Sequence, residues 1–367
     1  MANDNLKAAR KAKNDEFYTQ WADIEKEIMA YIDYTPDVFR DKTILLPCDD
    51  PEWSNFTKFF AQNFEAFGLK KLISTSYAYE SKKVNIPYQA SLFEEQAPHF
   101  DPDINKIRGK IFTLDHDSNQ NGVIDIDDLE WQYLAGDGDF RSDEVKNLRD
   151  EADIIITNPP FSLFREFLAW IIEADKKFII IGNKNAITYK EVFFLIKLNK
   201  IWVGKTPMSV DLLFDIPKSC AERLVASGKI GSSYRIVDSI VKGRSQSIWF
   251  TNIEHGKRHQ PLQLMTMADN IKHSKHKEIR EHGYLKYDNY NAIEVPFTDA
   301  IPSDYDGVMG VPISFLDKYC PEQFDLLGIM NTGEENAGIR YPNTPHGRPV
   351  VNGKEIYLRI LIKKRGN

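Results

Sequence analysis

Residues 153–157 read DIIIT and run directly into Asn158-Pro159-Pro160-Phe161. An amphipathic stretch covers 163–173, KFIIIG follows at 177–182, and a second helical stretch occupies 188–198. The two isoleucine-rich runs are short and apolar at consecutive positions, so each reads as a strand covered on both faces. Alternation with helices predicts parallel pairing, because a parallel connection needs a crossover of about a dozen residues or more. Working outward, TILLP at 43–47 and KLISTS at 71–76 are further strand candidates, with helices expected over 5–33 and 56–67. Trp21, Ile24, Ile28 and Ile32 give the first helix its spacing of three and four. The expected fold is α/β, a doubly wound and mostly parallel sheet. Ligands of such sheets sit beyond the carboxyl ends of the strands, which points to the turns after Pro47, Ser76, Thr157 and Gly182.

The chain has 367 residues, 42% hydrophobic and 28% charged, with a net charge of −7. That composition belongs to a globular protein of about two domains, not to a disordered one. No apolar run approaches the roughly 18 residues of a membrane span, and the charged start MANDNLKAARKAKNDEF lacks a secretory core. Three scattered cysteines, Cys48, Cys220 and Cys320, exclude a disulfide framework or an all-cysteine zinc site. A reducing cytoplasm is the expected compartment. Charge is unevenly spread: residues 101–153 carry fifteen acids against six bases, and residues 242–286 carry nine bases against four acids. After about residue 252 the pattern becomes irregular. The expected division is a catalytic domain over 1–253, with an acidic insert near 101–135, and a second region over 254–367.

The turn at Asn158 carries chemistry. Its two prolines remove two backbone donors and leave their carbonyls free. It therefore presents acceptors, the Asn158 side-chain oxygen and the Pro159 carbonyl, with the Phe161 ring close behind. An exocyclic amino group on a planar base fits that set: its N–H groups donate to the two oxygens while the ring stacks. Such an amine is a poor nucleophile because its lone pair is delocalised. Acceptors gripping its protons favour a pyramidal nitrogen and stabilise the positive charge that develops there. The bland alternative is a strand-ending turn with a core phenylalanine.

Asn158-Pro159-Pro160-Phe161 resembles the catalytic motif of amino-group DNA methyltransferases that use S-adenosylmethionine. Asp15-Glu16-Phe17-Tyr18-Thr19 is similar to their N-terminal motif, which implies Phe17, Tyr18 and Thr19 at the methionine end of the cofactor. Gly136-Asp137-Gly138-Asp139-Phe140 is similar to their acid-aromatic element, which implies Asp139 and Phe140 beside the cofactor's adenine. Cys48-Asp49-Asp50-Pro51 with Ser54-Asn55-Phe56, the NPPF turn, IIIGNKNAITYKE at 179–191 and YDNYNAIEV at 287–295 together resemble the EcoRI-type adenine-specific methyltransferases. The likeness runs from about residue 14 to the C-terminus.

That resemblance implies a Rossmann-like methyltransferase fold and transfer of a methyl group to the 6-amino group of a flipped-out adenine in double-stranded DNA. Asn158, Pro159, Pro160 and Phe161 would be catalytic. Pro47, Cys48, Asp49, Asp50, Pro51 and Asn158 would join the cofactor contacts, with no metal. The region 254–367 would recognise the target sequence, with Lys272, Lys275 and Lys277 on phosphates. A restriction endonuclease sharing the target, without a stable complex, or an orphan phage or plasmid role would be the setting. One departure stands out: the turn CDDPEWSNF has no glycine, where the wider pattern has a glycine-rich turn. For the ribose-binding acid after the second strand, Glu80 is the candidate.

A competing signal lies at 117–128, DSNQNGVIDIDD, which resembles an EF-hand calcium loop. Asp128 replaces the usual glutamate at its twelfth place, and no convincing helix precedes Asp117. Asn121-Gly122 is also a two-residue hairpin signal between FTLDHD and VIDI. A polar hairpin insert is therefore expected in preference to a calcium site. His255 and His259 have ligand spacing without a nearby acid, which favours phosphate contact or solvation over metal. Cys48 sits beside carboxylates that disfavour its thiolate, so no nucleophilic role is expected. Two rival readings remain on the residues alone. One is methyl transfer to another planar NH2, in protein glutamine or RNA guanine. The other is a non-catalytic nucleic-acid-binding protein on a methyltransferase fold.

Overall fold

The structure is a computed structural model, and it describes residues 18–49, 54–78, 101, 103–216, 218–330 and 347–366. Phe17, Asp50, Pro51 and Glu80 lie outside the described residues, and for Tyr18 only the backbone is described. Two compact units emerge: Met1–Lys184 with Val210–Glu254, and Asn185–Ser209 with His255–Asn367. Segment 185–209, grouped on sequence grounds with the catalytic domain, packs with the C-terminal unit.

In the first unit, strands β1 (Tyr18–Thr19), β2 (Thr43–Pro47), β3 (Lys71–Ser76), β4 (Lys110–Leu114), β5 (Glu130–Tyr133), β6 (Ile154–Thr157) and β7 (Lys177–Asn183) precede β8 (Leu212–Asp215), β9 (Tyr234–Val237), β10 (Ile240–Ser245) and β11 (Ser247–Thr251). Its large sheet runs β5-β4-β3-β2-β6-β7-β11. The four central strands β3, β2, β6 and β7 are parallel. Antiparallel strands flank them: β4 and β5 on one side, β11 on the other. The isoleucine-rich runs thus occupy the middle of the sheet, where both faces need cover.

Alternate residues divide between two layers. Ile44, Leu46, Ile154, Ile156, Ile179 and Ile181 join one core with Ile24, Ile28 and Tyr31 of helix α1 (Trp21–Tyr34) and Phe56, Phe59 and Phe60 of α2 (Asn55–Gln62). On the other face, helix α3 (Phe164–Glu173) covers β7: Gly182 has no Cβ because the Phe164 ring would stand 2.3 Å from it. Phe164 also packs on Phe250 of β11, at 5.2 Å between centroids. Burying a large side chain of this kind contributes about 1.5–3 kcal/mol, so the isoleucine and phenylalanine layers carry the fold.

The acidic insert is not an appendage. Strands β4 and β5 extend the main sheet, and the partner of residues 110–113 is 130–133. This corrects the two-residue hairpin read at Asn121-Gly122. The loop between the strands is instead ordered by its own carboxylates. Asp128 Oδ1 accepts from the Ser118 and Asn119 N–H groups, and its Oδ2 accepts from Asp125 N–H. Those donors, Asp125 foremost, hold the Asp128 carboxyl below its ordinary range. Asp117 accepts from the Asn121 and Gly122 N–H groups. Ile124, Ile126 and Leu129 pack on the core, an anchoring that the VIDI alternation does not announce.

A smaller sheet in the first unit runs β1-β8-β10-β9, all antiparallel. The second unit contains a four-stranded sheet built from Ile293–Glu294, Met309–Pro312, Phe324–Ile329 and Arg359–Lys364. The motif at 287–295 is structural there. Glu294 accepts from the Tyr287 hydroxyl and from Arg359 Nε and Nη2, the latter at 2.5 Å, with both charged side chains about nine-tenths buried. Asn289 bonds the Arg348 carbonyl and the Val350 N–H. The family motif in this stretch thus ties the unit together from inside.

Candidate active site

The carboxyl ends of β2, β3 and β6 lie side by side, as the parallel register requires. Cys48 directly follows β2 and lies in the left-handed region, at φ +77. Glycine adopts that conformation without penalty, and another residue gives up roughly 1–2 kcal/mol for it. The glycine-free turn therefore keeps a glycine-type bend, and a cysteine bears the strain.

Asp49 follows, 5% exposed. Its Oδ1 accepts from Ser54 Oγ at 2.6 Å, and its Oδ2 lies 2.5 Å from Thr157 Oγ1. Its carbonyl accepts from Thr57 Oγ1 at 3.0 Å and from the Ser74 hydroxyl. The carboxylate is thus engaged within the protein, joining the end of β2, the start of α2 and the end of β6. Ser54 also accepts from Phe56 N–H, capping α2. The sequence reading placed Asp49 toward a ligand and did not anticipate Thr157 or Ser54. A hydroxyl residue directly before the NPPF turn was the available signal.

Thr157 is fully buried, and its hydroxyl also reaches the Pro47 carbonyl at 2.6 Å. Pro47 therefore acts here through its backbone. Asn158 follows half-buried, Pro159 is buried, and Pro160 opens a short 3-10 turn, Phe161–Leu163. Leu163 N–H closes that turn on the Pro160 carbonyl at 2.9 Å. Phe161 packs only partly on the core and keeps part of its ring exposed. A core phenylalanine would be enclosed, so the turn keeps an aromatic surface accessible, while the Asn158 side-chain oxygen itself is buried. Thr19 of β1 is brought to the same place: its carbonyl accepts from Asn55 Nδ2 at 2.8 Å.

The GDGDF element meets the end of β3. Gly138 has φ +86, and a Cβ there would stand 2.4 Å from the Ser76 carbonyl oxygen, so only glycine permits this approach. Asp139 is bound by Arg141 through two hydrogen bonds, at 2.9 and 2.6 Å, and that guanidinium holds its carboxyl below the ordinary range. Phe140 points inward, 1% exposed, against Phe167 and Trp170 at 5.1 and 5.7 Å. Of the expected acid-aromatic pair, then, one member is engaged by arginine and the other is core.

Tyr77, the first residue beyond β3, was not singled out on sequence. Burial, and then the proximity of Cys48 and Asp139, push its hydroxyl well above its ordinary pKa. That hydroxyl is enclosed, with the Phe140 backbone and the Cys48 side chain as its polar neighbours. Cys48, Asp49, Tyr77, Gly138 and Asn158 thus gather at the carboxyl ends of β2, β3 and β6.

In the second unit the basic segment divides. His255 is 3% exposed, with Nε2 3.1 Å from the Val203 carbonyl, which corrects the expectation that it meets phosphate or solvent. Arg258 is also buried, its guanidinium 4.1 Å from the Trp202 ring centroid. His259 lies 3.0 Å from Glu322. Lys272, Lys275 and Lys277 are exposed, Lys275 pairing with Asp299 and Lys277 with Glu281. Among the described residues no group of three or more His, Cys, Asp or Glu side chains is arranged to hold a metal ion, and no helix is long and apolar enough to cross a membrane.

Comparison with known proteins agrees with this geometry. The family profile described as "Adenine-specific methyltransferase EcoRI" matches residues 5–365. The chain is 41% identical to the Type II methyltransferase M.EcoRI of Escherichia coli, over 99% of this chain and 97% of that one. It is 34% identical to M.MpnI of Mycoplasma pneumoniae, over 98% of each. M.MgeORF184P of Mycoplasma genitalium is likewise 34% identical, over 97% of this chain and 98% of its own. No solved structure matches it. With the parallel sheet, the acceptor turn and a match spanning nearly the whole chain, the protein belongs to the EcoRI family of adenine-specific methyltransferases.

Proposed function

We propose that this chain methylates the 6-amino group of adenine within a specific duplex DNA sequence, using S-adenosylmethionine. The observation that carries the reading is the turn at 158–161: two acceptors and a partly exposed ring on a strand end fixed by Thr157 and Asp49. When bound, the cofactor supplies a methyl carbon activated by its sulfonium. Tyr77, the turn at Cys48 and Asp49, Thr19, Gly138 and Asn158 would hold it, and no metal is needed.

The protein's own part is positional. The Asn158 side-chain oxygen and the Pro159 carbonyl hold the two protons of the amino group, and Phe161 stacks on the base. As the nitrogen gains positive charge, those oxygens stabilise it, and the surplus proton passes to solvent. Preorganised groups of this kind are worth a hundredfold or more each, and orientation supplies much of the rest. A base inside a duplex cannot reach this turn, so the adenine must be flipped out.

Target recognition falls to the C-terminal unit, with the exposed Lys272, Lys275 and Lys277 on phosphates. Their side chains are solvent-facing and their ion pairs are surface pairs, each worth at most about 1 kcal/mol, so phosphate replaces Asp299 and Glu281 at little cost. The proposed setting is a cytoplasmic enzyme sharing its target sequence with a restriction endonuclease; its relatives are named Type II methyltransferases. Sequencing DNA from cells that express the chain, with detection of modified bases, tests the whole reading. One recurrent motif with N6-methyladenine is expected, and a different modified base overturns it.

A further inference from the structure

We infer that the β9–β10 hairpin of the catalytic unit is a DNA-contacting wedge, whose apolar tip enters a groove of the substrate duplex beside the flipped adenine. The inference rests on the flipping step proposed above. It starts from an exposed apolar group with no role in the core: Ile236, Val237 and Ile240 are 54%, 39% and 57% exposed. They sit at the tip of the hairpin. Val237 pairs with Ile240 and Ile236 with Val241 across the hairpin, and the turn residues Asp238 and Ser239 both have positive φ, at 49° and 67°. That is the twist-matched two-residue turn that fixes a hairpin's register. The strained pair of non-glycine residues holds the apolar side chains out in water, an arrangement with a cost and no internal gain.

Position and charge name the partner. The hairpin is joined strand by strand to the active site: Tyr234 pairs with Gly243, Gly243 with Phe214, and Phe214 with Thr19, whose carbonyl is held by Asn55. Beyond the level of Lys242 the tip projects roughly 8 Å at the rise of a β-strand. DNA grooves are about 7.5–8.5 Å deep. Behind the tip lie Arg235, Lys242 and Arg244, and Lys229 lies at the hairpin's base. Asp211 and Asp215 orient the first three through Arg235–Asp211, Lys242–Asp215 and Arg244–Asp211 pairs. Apolar residues inserted between base steps, backed by cations on the phosphates, are the means by which proteins unstack and kink a duplex. A protein partner would leave the adjacency to the adenine site and the cationic backing without a use.

The test is the triple variant Ile236→Ser, Val237→Ser, Ile240→Ser in the full chain, compared with wild type on two duplexes. One carries a normally paired target, and the other an abasic site opposite the target adenine. These side chains are exposed, so melting temperature and cofactor affinity are expected to stay unchanged, and a control circular dichroism melt confirms the fold. On the paired duplex kcat/KM is expected to fall about tenfold or more, since unstacking a step costs a few kcal/mol. On the abasic duplex, where nothing needs unpairing, it is expected to return to within about threefold of wild type. Equal loss on both duplexes, or no loss on either, overturns the wedge, as does a variant whose only change is weaker self-association in sedimentation. The flipping step is checked separately with 2-aminopurine at the target in the wild-type complex. Absence of a fluorescence rise there refutes flipping itself, whatever the variant does.

Discussion

Thr157 Oγ1 lies 2.5 Å from Asp49 Oδ2 and 2.6 Å from the Pro47 carbonyl. One hydroxyl, itself fully buried, therefore ties the residue before the catalytic turn to the end of the neighbouring strand. The relationship gives Asp49 a positioning role, since its two oxygens are taken by Thr157 and Ser54.

Thr157→Val keeps the volume and removes the tie. Turnover is expected to fall roughly ten- to a hundredfold, because small displacements of a reacting group cost that much. KM for DNA should change little, and Thr157→Ser should restore most of the rate. Steady-state kinetics on a target duplex checks this, and a full-rate valine variant removes the positioning role.

Asn158→Ala removes one of the two acceptors. Turnover is expected to drop at least about a hundredfold, while cofactor affinity by calorimetry changes far less. Near-normal turnover would transfer the chemistry elsewhere.

Cys48 tests the strained turn. Cys48→Gly is expected to match or exceed wild-type stability. Cys48→Val should lose roughly 1–2 kcal/mol, as a β-branched residue is forced to φ +77. Urea denaturation separates the two, and equal stability of both variants contradicts the backbone geometry.

Much of the fold was legible. Residues 43–47, 71–76, 153–157 and 177–182 read as strands because short aliphatic and β-branched runs bounded by turns suit a covered sheet, and the structure has central strands there within a residue at each end. The NPPF turn was legible because proline removes donors in a way that reads directly as chemistry. The rest depended on distance in sequence. Asp49 and Thr157 are 108 residues apart, and periodicity says nothing about which carboxylate a buried hydroxyl will meet. Phe140 and His255 look like site residues locally, yet each is consumed by packing with distant partners. In the acidic insert, the strong Asn121-Gly122 signal lost to a loop whose carboxylates satisfy its own backbone, and the strand partner came later, at 130–133.

The Glu294–Arg359 pair offers a check on the second unit. Arg359→Met leaves Glu294 and the Tyr287 hydroxyl without their cation in a buried setting. A destabilisation of about 3–5 kcal/mol is expected, visible as a lowered melting temperature, whereas the double change Glu294→Leu with Arg359→Met should recover much of it. A harmless single variant contradicts the structural role.

The calcium-like loop supplies its carboxylates to its own backbone, so methylation is expected to proceed unchanged in excess chelator. An activity loss reversed by calcium, or calorimetric binding tighter than about 10 µM, would reassign the loop.

The most direct measurement is the product itself. Purified chain, S-adenosylmethionine labelled in the methyl group, and unmethylated duplex DNA are incubated, and the DNA is digested to nucleosides and separated. N6-methyladenine carrying the label is expected with wild type and at least about a hundredfold less with Asn158→Ala. Label in a cytosine derivative, in protein, or equally in both enzyme forms would contradict the account.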